Sequence, residues 1–207
     1  MSTSYNEDSY DFKLYTPWKF GLSAGYLVGN MLALGVGYDF ADYGSMSTRI
    51  NDGTSDYYGY YDNSYRDTPM DDHTKSTLKG VSTLKVGMEL RPIPASPLAL
   101  RAGYNYVSPM YEDFGFKNGT VQSNGTYFAS TTDYTNWEST NRLTLGLGYA
   151  AGPFTFDIAY QYATSKGSFY PFMSYEDNDY YDIGNVCNAV KVENNRHQML
   201  CTIGYKF

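Results

Sequence analysis

The chemistry that this sequence offers lies in charged residues with a regular spacing. They fall at every second position of short segments in which apolar and aromatic residues fill the other positions. Because alternate residues of a β-strand point to the same side, such charges would gather on one face. The candidates on that face are Lys19, Asp39, Lys85, Glu89, Arg91, Arg101, Asp157 and Arg196. The same parity includes Lys79, Arg142 and Lys206. Because basic and acidic residues are mixed, we expect them to pair with one another across the interior of the fold. The functional alternative is a polar wall that guides or excludes solutes, such as a carboxylate.

Histidine and serine are the next candidates for chemistry. The chain has two histidines, His73 and His197. A hydrolase of the serine type needs a serine beside a histidine and a third group that orients the histidine. Ser165 and Ser168 precede His197, but no GxSxG motif surrounds either of them. We therefore predict that the protein is not an enzyme.

Metal and redox chemistry receive little support. The two cysteines, Cys187 and Cys201, lack CxxC spacing and cannot alone form a tetrahedral zinc site, which leaves small apolar fillers or one disulfide. The segments 56–65 and 175–182 are rich in Tyr and Asp but lack the regular spacing of a calcium loop. No cofactor or metal is predicted, and these segments are expected to be solvated surface loops that contact ligands at most through tyrosine faces.

Composition narrows the class of protein. The chain has 207 residues with 15 basic and 22 acidic side chains, a net charge of −7, which argues against a nucleic acid partner. A mean hydropathy of −0.48, with no apolar run near ~18 residues, excludes a bundle of membrane-spanning helices. The 24 Tyr and 20 Gly suit β-strands with one apolar and one polar face. The polar N-terminus shows no signal peptide, so an exported protein would be represented by a mature chain or a fragment.

Strict alternation of apolar and polar residues predicts seven strands. We expect residues 1–207 to form a single β-barrel region. In residues 154–163, Phe154, Phe156 and Ile158 occupy one parity, and Thr155 and Asp157 the other. The same pattern recurs near 18–26, 32–40, 84–91, 98–106, 143–149 and 199–207. Short Gly- and Pro-rich turns alternate with long polar connections at about 42–76, 108–137 and 164–195. Strands joined in this way predict an all-β, antiparallel up-and-down meander.

The environment of the apolar face separates two architectures. In a soluble sandwich that face is the core, whereas in an outer-membrane barrel it contacts lipid. Small residues on the polar faces, aromatic residues at the strand ends and the unequal loops all favour a transmembrane β-barrel. We therefore expect a protein of the bacterial outer membrane, with the charged candidates facing the lumen and outer-membrane lipid outside.

Several segments resemble a known transport family. Residues 18–26, 33–40, 100–106 and 144–162 look like the C-terminal half of the FadL/TodX family, the last two segments like its late strands, and the resemblance spans about 15–207. It implies the C-terminal half of a fourteen-stranded barrel that passively takes up hydrophobic compounds such as long-chain fatty acids. The end of the chain, with Ile203, Tyr205 and Phe207 at alternate positions, resembles the signal recognised by the barrel assembly machinery.

Seven is an odd number of strands, whereas a complete bacterial barrel formed by one chain has an even number. Open strand edges in lipid leave backbone groups unpaired at a cost of several kcal/mol each. We therefore expect the seven strands to be completed by a missing N-terminal half or by a partner chain. Two functional alternatives remain: a structural or adhesive barrel that binds through its Tyr-rich loops, and a small general porin.

Overall fold

The computed structural model describes residues 12–51, 64–92, 97–112, 120–123, 126–129, 134–171 and 188–206. The strands are β1 (Phe12–Tyr15), β2 (Lys19–Val28), β3 (Leu32–Asp42), β4 (Ser47–Asn51), β5 (Ser64–Arg66), β6 (Gly80–Leu90), β7 (Leu98–Val107), β8 (Thr120–Ser123), β9 (Thr126–Ala129), β10 (Tyr134–Ala151), β11 (Phe154–Tyr170) and β12 (Val190–Tyr205). One α-helix, α1 (Thr68–Thr77), and a 3-10 turn (Tyr43–Ser45) accompany them.

Seven of these strands form the main sheet. Their order is β2-β3-β6-β7-β10-β11-β12, and every neighbouring pair is antiparallel. The predicted all-β class and the predicted meander of seven strands are confirmed. Among the described residues β2 and β12 are the two edges of this sheet, so it is an open sheet and not a closed barrel.

Two tight turns join neighbouring strands at one end of the sheet. Gly152 and Pro153 form a two-residue loop between the paired residues Ala151 and Phe154. Gly152 has a φ of +58°, which an L side chain rarely adopts. The ring of Pro153 fixes a negative φ, so the loop fits the type II′ hairpin turn, which matches the strand twist. Gly29 provides the same freedom, with a φ of +56°, between β2 and β3.

A small second unit lies at the opposite end. Strands β1, β4 and β5 form a three-stranded sheet, and α1 follows directly. Asp67 caps α1 by accepting a hydrogen bond from the backbone N–H of Met70, and Pro69 lies in the first turn, where its missing N–H costs nothing. The connection predicted at 42–76 therefore contains regular structure. Its elements are short and lack the apolar period by which the strands were found.

Strands β10, β11 and β12 extend beyond the bounds given by alternation. They reach into the segments predicted as loops at 108–137 and 164–195. In these extensions both faces of the sheet carry polar side chains, so the alternation disappears while the backbone ladder continues. Residues 56–63 of the segment 56–65, the whole segment 175–182 and Cys187 lie outside the described residues.

The described residues contain one helix, α1, and it is too short and too polar to cross a membrane. Few of the described residues are buried. Ala41, Ile50 and Ala99 are the buried core residues, Asp67, Asp71 and Thr77 are the buried polar ones, and Pro17, Gly148 and Gly167 are buried as well. The sheet is therefore a single layer with two accessible faces.

Candidate functional site

The register of the sheet gathers the predicted charges on one face. We call this the polar face and define it by side chains that share one parity across the register. Its main members are Lys19, Asp39, Lys85, Glu89, Arg101, Arg142, Gly148, Asp157, Ala163 and Arg196. Arg91 follows β6 directly, and Lys206 follows β12. Lys79 lies before β6, with its Nζ 3.7 Å from Glu112 Oε2.

A chain of ion pairs crosses the polar face near the tight turns. Glu89 on β6 accepts from Arg101 Nε on β7 at 2.8 Å and from Arg91 Nε at 3.1 Å. The Nη1 of Arg101 donates to Asp157 Oδ1 on β11 at 2.5 Å. Because β10 lies between β7 and β11, Arg101 reaches across a whole strand to its acceptor. Four charges of alternating sign thereby neutralise one another.

Glycine in the intervening strand allows this crossing. A Cβ placed on Gly148 of β10 would lie 2.7 Å from Asp157 Oδ1 and 3.0 Å from Arg101 Nη1. A Cβ on Gly146 would lie 3.3 Å from Arg101 Cβ. Alternation along the strands predicts these charges but does not reveal this role of the glycines. The available signal was Gly146 and Gly148 at the polar parity of one strand, between strands that carry Arg101 and Asp157.

A second ion pair lies towards the other edge. Lys85 Nζ on β6 is 2.5 Å from Asp39 Oδ2 on β3. Lys19 lies on the edge strand β2, and its Nζ is 5.7 Å from the centroid of the Tyr43 ring, within range of a cation–π contact. The Asp39 and Lys85 pair is separate from the four-residue chain, so the structure divides the predicted charges into more than one group.

Arg142 and Arg196 stand apart from both groups. Arg142 Nη1 donates to Asn105 Oδ1 at 3.2 Å. Arg142 on β10 pairs with Ala163 on β11, and Ala163 pairs with Arg196 on β12. In the part of the chain that the structure describes, neither guanidinium forms an ion pair. With Trp137, Gln161 and Ser165 nearby, they line a groove of about 260 Å³.

The opposite face is apolar, and we call it the apolar face. Its central members are Leu34, Val36, Val86, Met88, Leu100, Leu143, Leu145, Leu147, Ile158 and Met199. In the isolated chain Leu145 is 51% exposed, and at the edges Leu22 and Ile203 reach 76% and 74%. Exposed apolar area of this extent marks a surface that another phase or partner covers.

Tyrosines whose hydroxyl groups form hydrogen bonds bound the apolar face at the end away from the tight turns. The hydroxyl of Tyr162 donates to Asn195 Oδ1 at 2.9 Å, and the hydroxyl of Tyr160 lies 2.6 Å from His197 Nδ1. The hydroxyls of Tyr38 and Tyr104 contact Ser82 Oγ at 2.8 Å and Asn141 Oδ1 at 2.5 Å. Beyond this boundary the same face becomes polar, with Thr164, Lys166, Ser168, Lys191 and Glu193.

Aromatic rings bound the same face at the end with the tight turns. Phe154 packs on Tyr205, with ring centroids 5.1 Å apart, and Phe156 and Tyr149 are adjacent in the register. On β11 the apolar stretch runs from Phe154 to Tyr162, close to the ~9–11 residues that a tilted strand needs to cross a bilayer.

The carboxyl of Asp71 fastens α1 to the small sheet. It accepts hydrogen bonds from Arg66 Nε at 2.5 Å, from the backbone N–H of Thr48 at 2.6 Å and from Ser47 Oγ at 2.9 Å. Burial by itself raises the pKa of Asp71, but these donors outweigh burial and hold the pKa below its ordinary value of 3.8. Burial lowers the pKa of His73, in the same helix, below its ordinary value of 6.5.

The remaining candidate residues lie at separate places on the sheet. Ile203 and Tyr205 of the proposed assembly signal are exposed on β12, and Phe207 lies outside the described residues. Cys201 is an exposed free thiol. Ser165 belongs to the polar face and His197 to the apolar face, so these two do not form a nucleophile and base pair. Within the described ranges no three His, Cys, Asp or Glu side chains come close enough to hold a metal ion.

Comparison with known proteins gives this chain no family: no family model matches it, and no curated protein matches it.

Proposed function

We propose that this chain forms part of the wall of an outer-membrane β-barrel through which hydrophobic compounds, such as long-chain fatty acids, pass without energy coupling. The observation that carries the proposal is the apolar face, a continuous exposed band with aromatic and hydroxyl-tipped boundaries at both ends. Water makes such a band unfavourable, whereas lipid hydrocarbon solvates it, and the hydroxyl and imidazole tips suit the polar interface.

The polar face supports the same architecture. Its glycines and its cross-strand ion pairs fit a lumen, where side chains are crowded and charges must pair. The resemblance of the strands to late strands of the FadL/TodX family supports a hydrophobic substrate. The alternate apolar positions Ile203 and Tyr205 support recognition by the bacterial assembly machinery.

Strand direction determines how such a wall closes. Because the seven strands alternate in direction, the edge strands β2 and β12 run the same way. Joining these two edges, or the edges of two copies with the same orientation, would give a parallel seam. An entirely antiparallel barrel needs an odd number of further strands between them. We therefore propose that an N-terminal part or a partner chain supplies those strands.

A depth series of arginine substitutions tests the membrane contact. Leu145→Arg places a charge in the middle of the apolar face, and Thr164→Arg places the same charge on the same face above the tyrosine boundary. In the complete barrel, refolded in lipid vesicles, we expect a cost of about 2–4 kcal/mol for Leu145→Arg and about 0–1 kcal/mol for Thr164→Arg, measured by urea unfolding. Equal effects within about 0.5 kcal/mol would show that the face meets water and would refute the membrane proposal.

Uptake measurements test the transport part separately. Cells that carry the complete barrel should take up a long-chain fatty acid saturably, and planar bilayers should show almost no small-ion conductance. If Leu145→Arg strongly lowers the unfolding free energy but the cells take up no fatty acid, the protein is a structural or adhesive barrel. High ion conductance would indicate a general porin instead.

A further inference from the structure

We propose that Arg142 and Arg196 form a binding site for a small oxyanion with two negative charges, such as phosphate or the head of a phosphate monoester. The site goes beyond the transport of hydrophobic compounds, because it rests on the polar face alone.

The register brings the two arginines to either side of a small residue. Arg142 pairs with Ala163, and Ala163 pairs with Arg196, so the three lie in one row across β10, β11 and β12. Two strand spacings separate the arginine backbones by about 10 Å. Only a methyl group stands between them, which leaves room for both side chains to turn towards one bound group.

The surrounding groove offers further donors. Gln161 and Ser165 line it, and Gln161 Nε2 donates to Thr144 Oγ1 at 3.4 Å. Thr140 Oγ1 donates to Ser165 Oγ at 3.3 Å. The groove volume of about 260 Å³ exceeds what a single anion needs. Hydroxyl and amide groups of this kind supplement the fixed forks of two guanidinium groups.

No acidic side chain of the polar face reaches the arginines within the described residues. Asp157 lies six positions along β11 from Ala163, about 20 Å away, and pairs with Arg101. Asp39 is paired with Lys85. Glu193 falls on the opposite face, in register with Lys166. Two uncompensated positive charges at one groove therefore match a dianion better than a monoanion.

Trp137 provides a direct measure of binding. Its ring lines the groove, and the second tryptophan, Trp18, is removed by Trp18→Phe. The refolded full chain with this change is titrated at pH 8 with inorganic phosphate or sulfate, and with chloride at matched ionic strength. We expect a saturable change in Trp137 fluorescence, with the dianions binding at least about tenfold more tightly than chloride.

Substitutions assign the signal to the two arginines. R142Q and R196Q should each weaken phosphate binding by about tenfold or more, because each removes a charge-assisted donor. K166Q removes the same charge from the opposite face of β11 and should leave the affinity within about twofold. Arg196 is exposed on β12, an edge strand of the described sheet, so R196Q should not impair folding. R196Q is therefore the decisive variant if R142Q does not fold. Unchanged affinity in folded R196Q, no saturation by either dianion, or equal binding of chloride would overturn the proposal.

Discussion

Replacing Gly148 with alanine places a methyl group between Arg101 and Asp157. The new Cβ would lie 2.7 Å from the carboxylate oxygen and 3.0 Å from the guanidinium nitrogen, so the 2.5 Å hydrogen bond between them has to open. The side chains of Arg101 and Asp157 are 44% and 38% exposed, and a pair of this exposure contributes about 0.2–1 kcal/mol. Crowding at a buried strand position adds about 1–3 kcal/mol where the neighbours cannot fully relax. Alanine gains about 0.5–1 kcal/mol over glycine in backbone entropy. We therefore expect a net destabilisation of about 1–2 kcal/mol.

Gly87→Ala is the matched control. Gly87 lies mid-strand on the same face, and its added Cβ would meet only Ala102 O at 3.9 Å, an ordinary contact. This variant should be unchanged or up to about 1 kcal/mol more stable, since it gains the same backbone term. Urea unfolding of the refolded chain in detergent, followed by tryptophan fluorescence, measures both variants.

A second background isolates the cause. In Asp157→Ala the carboxylate is gone, so adding Gly148→Ala should cost about 1 kcal/mol less than it does in the unmodified chain. Salt near 1 M should also narrow the gap between the two glycine variants, because it screens the ion pair. A difference of less than about 0.3 kcal/mol between Gly148→Ala and Gly87→Ala would show that the Arg101–Asp157 crossing at Gly148 does not require a glycine.

Three further predictions concern other parts of the chain. Because the pKa of Asp71 is lower in the folded protein than its ordinary value of 3.8, the carboxylate stabilises the fold above pH 3.8, and this stabilisation is lost as pH falls through the folded pKa. Hydrogen exchange of the α1 amides should show this loss. Asp71→Asn should remove this pH dependence and cost about 2 kcal/mol of unfolding free energy. Gly152→Ala should cost about 1 kcal/mol, since its φ of +58° strains any L side chain; a cost near zero in urea unfolding would contradict the turn assignment. Tyr160→Phe should cost about 0.5–1.5 kcal/mol in the same assay through loss of the contact with His197, and an additional His197→Ala should then cost no further hydrogen bond.

Much of the fold followed from local pattern. Strict alternation identified the seven strands and the two faces, because the side-chain period of a strand is two wherever one face is apolar. The Gly and Pro residues at 152 and 153 indicated a tight turn for an equally local reason. Other parts of the fold carry no such local pattern. The polar ends of β10, β11 and β12, and the short elements around α1, carry no apolar period although their backbones are regular.

The sequence by itself determined which residues share a face, since parity within one strand is a local property. Only the tertiary structure decided which of them meet. Arg101 and Asp157 are 56 residues apart and join because β10 stands between their strands with glycine at the crossing point. Arg142 and Arg196 share a row because the register of β10, β11 and β12 aligns them through Ala163. Neither forms an ion pair with an acidic side chain among the described residues. Pairing depends on strand order and register, which hydrogen bonds between distant segments set and which no local spacing encodes.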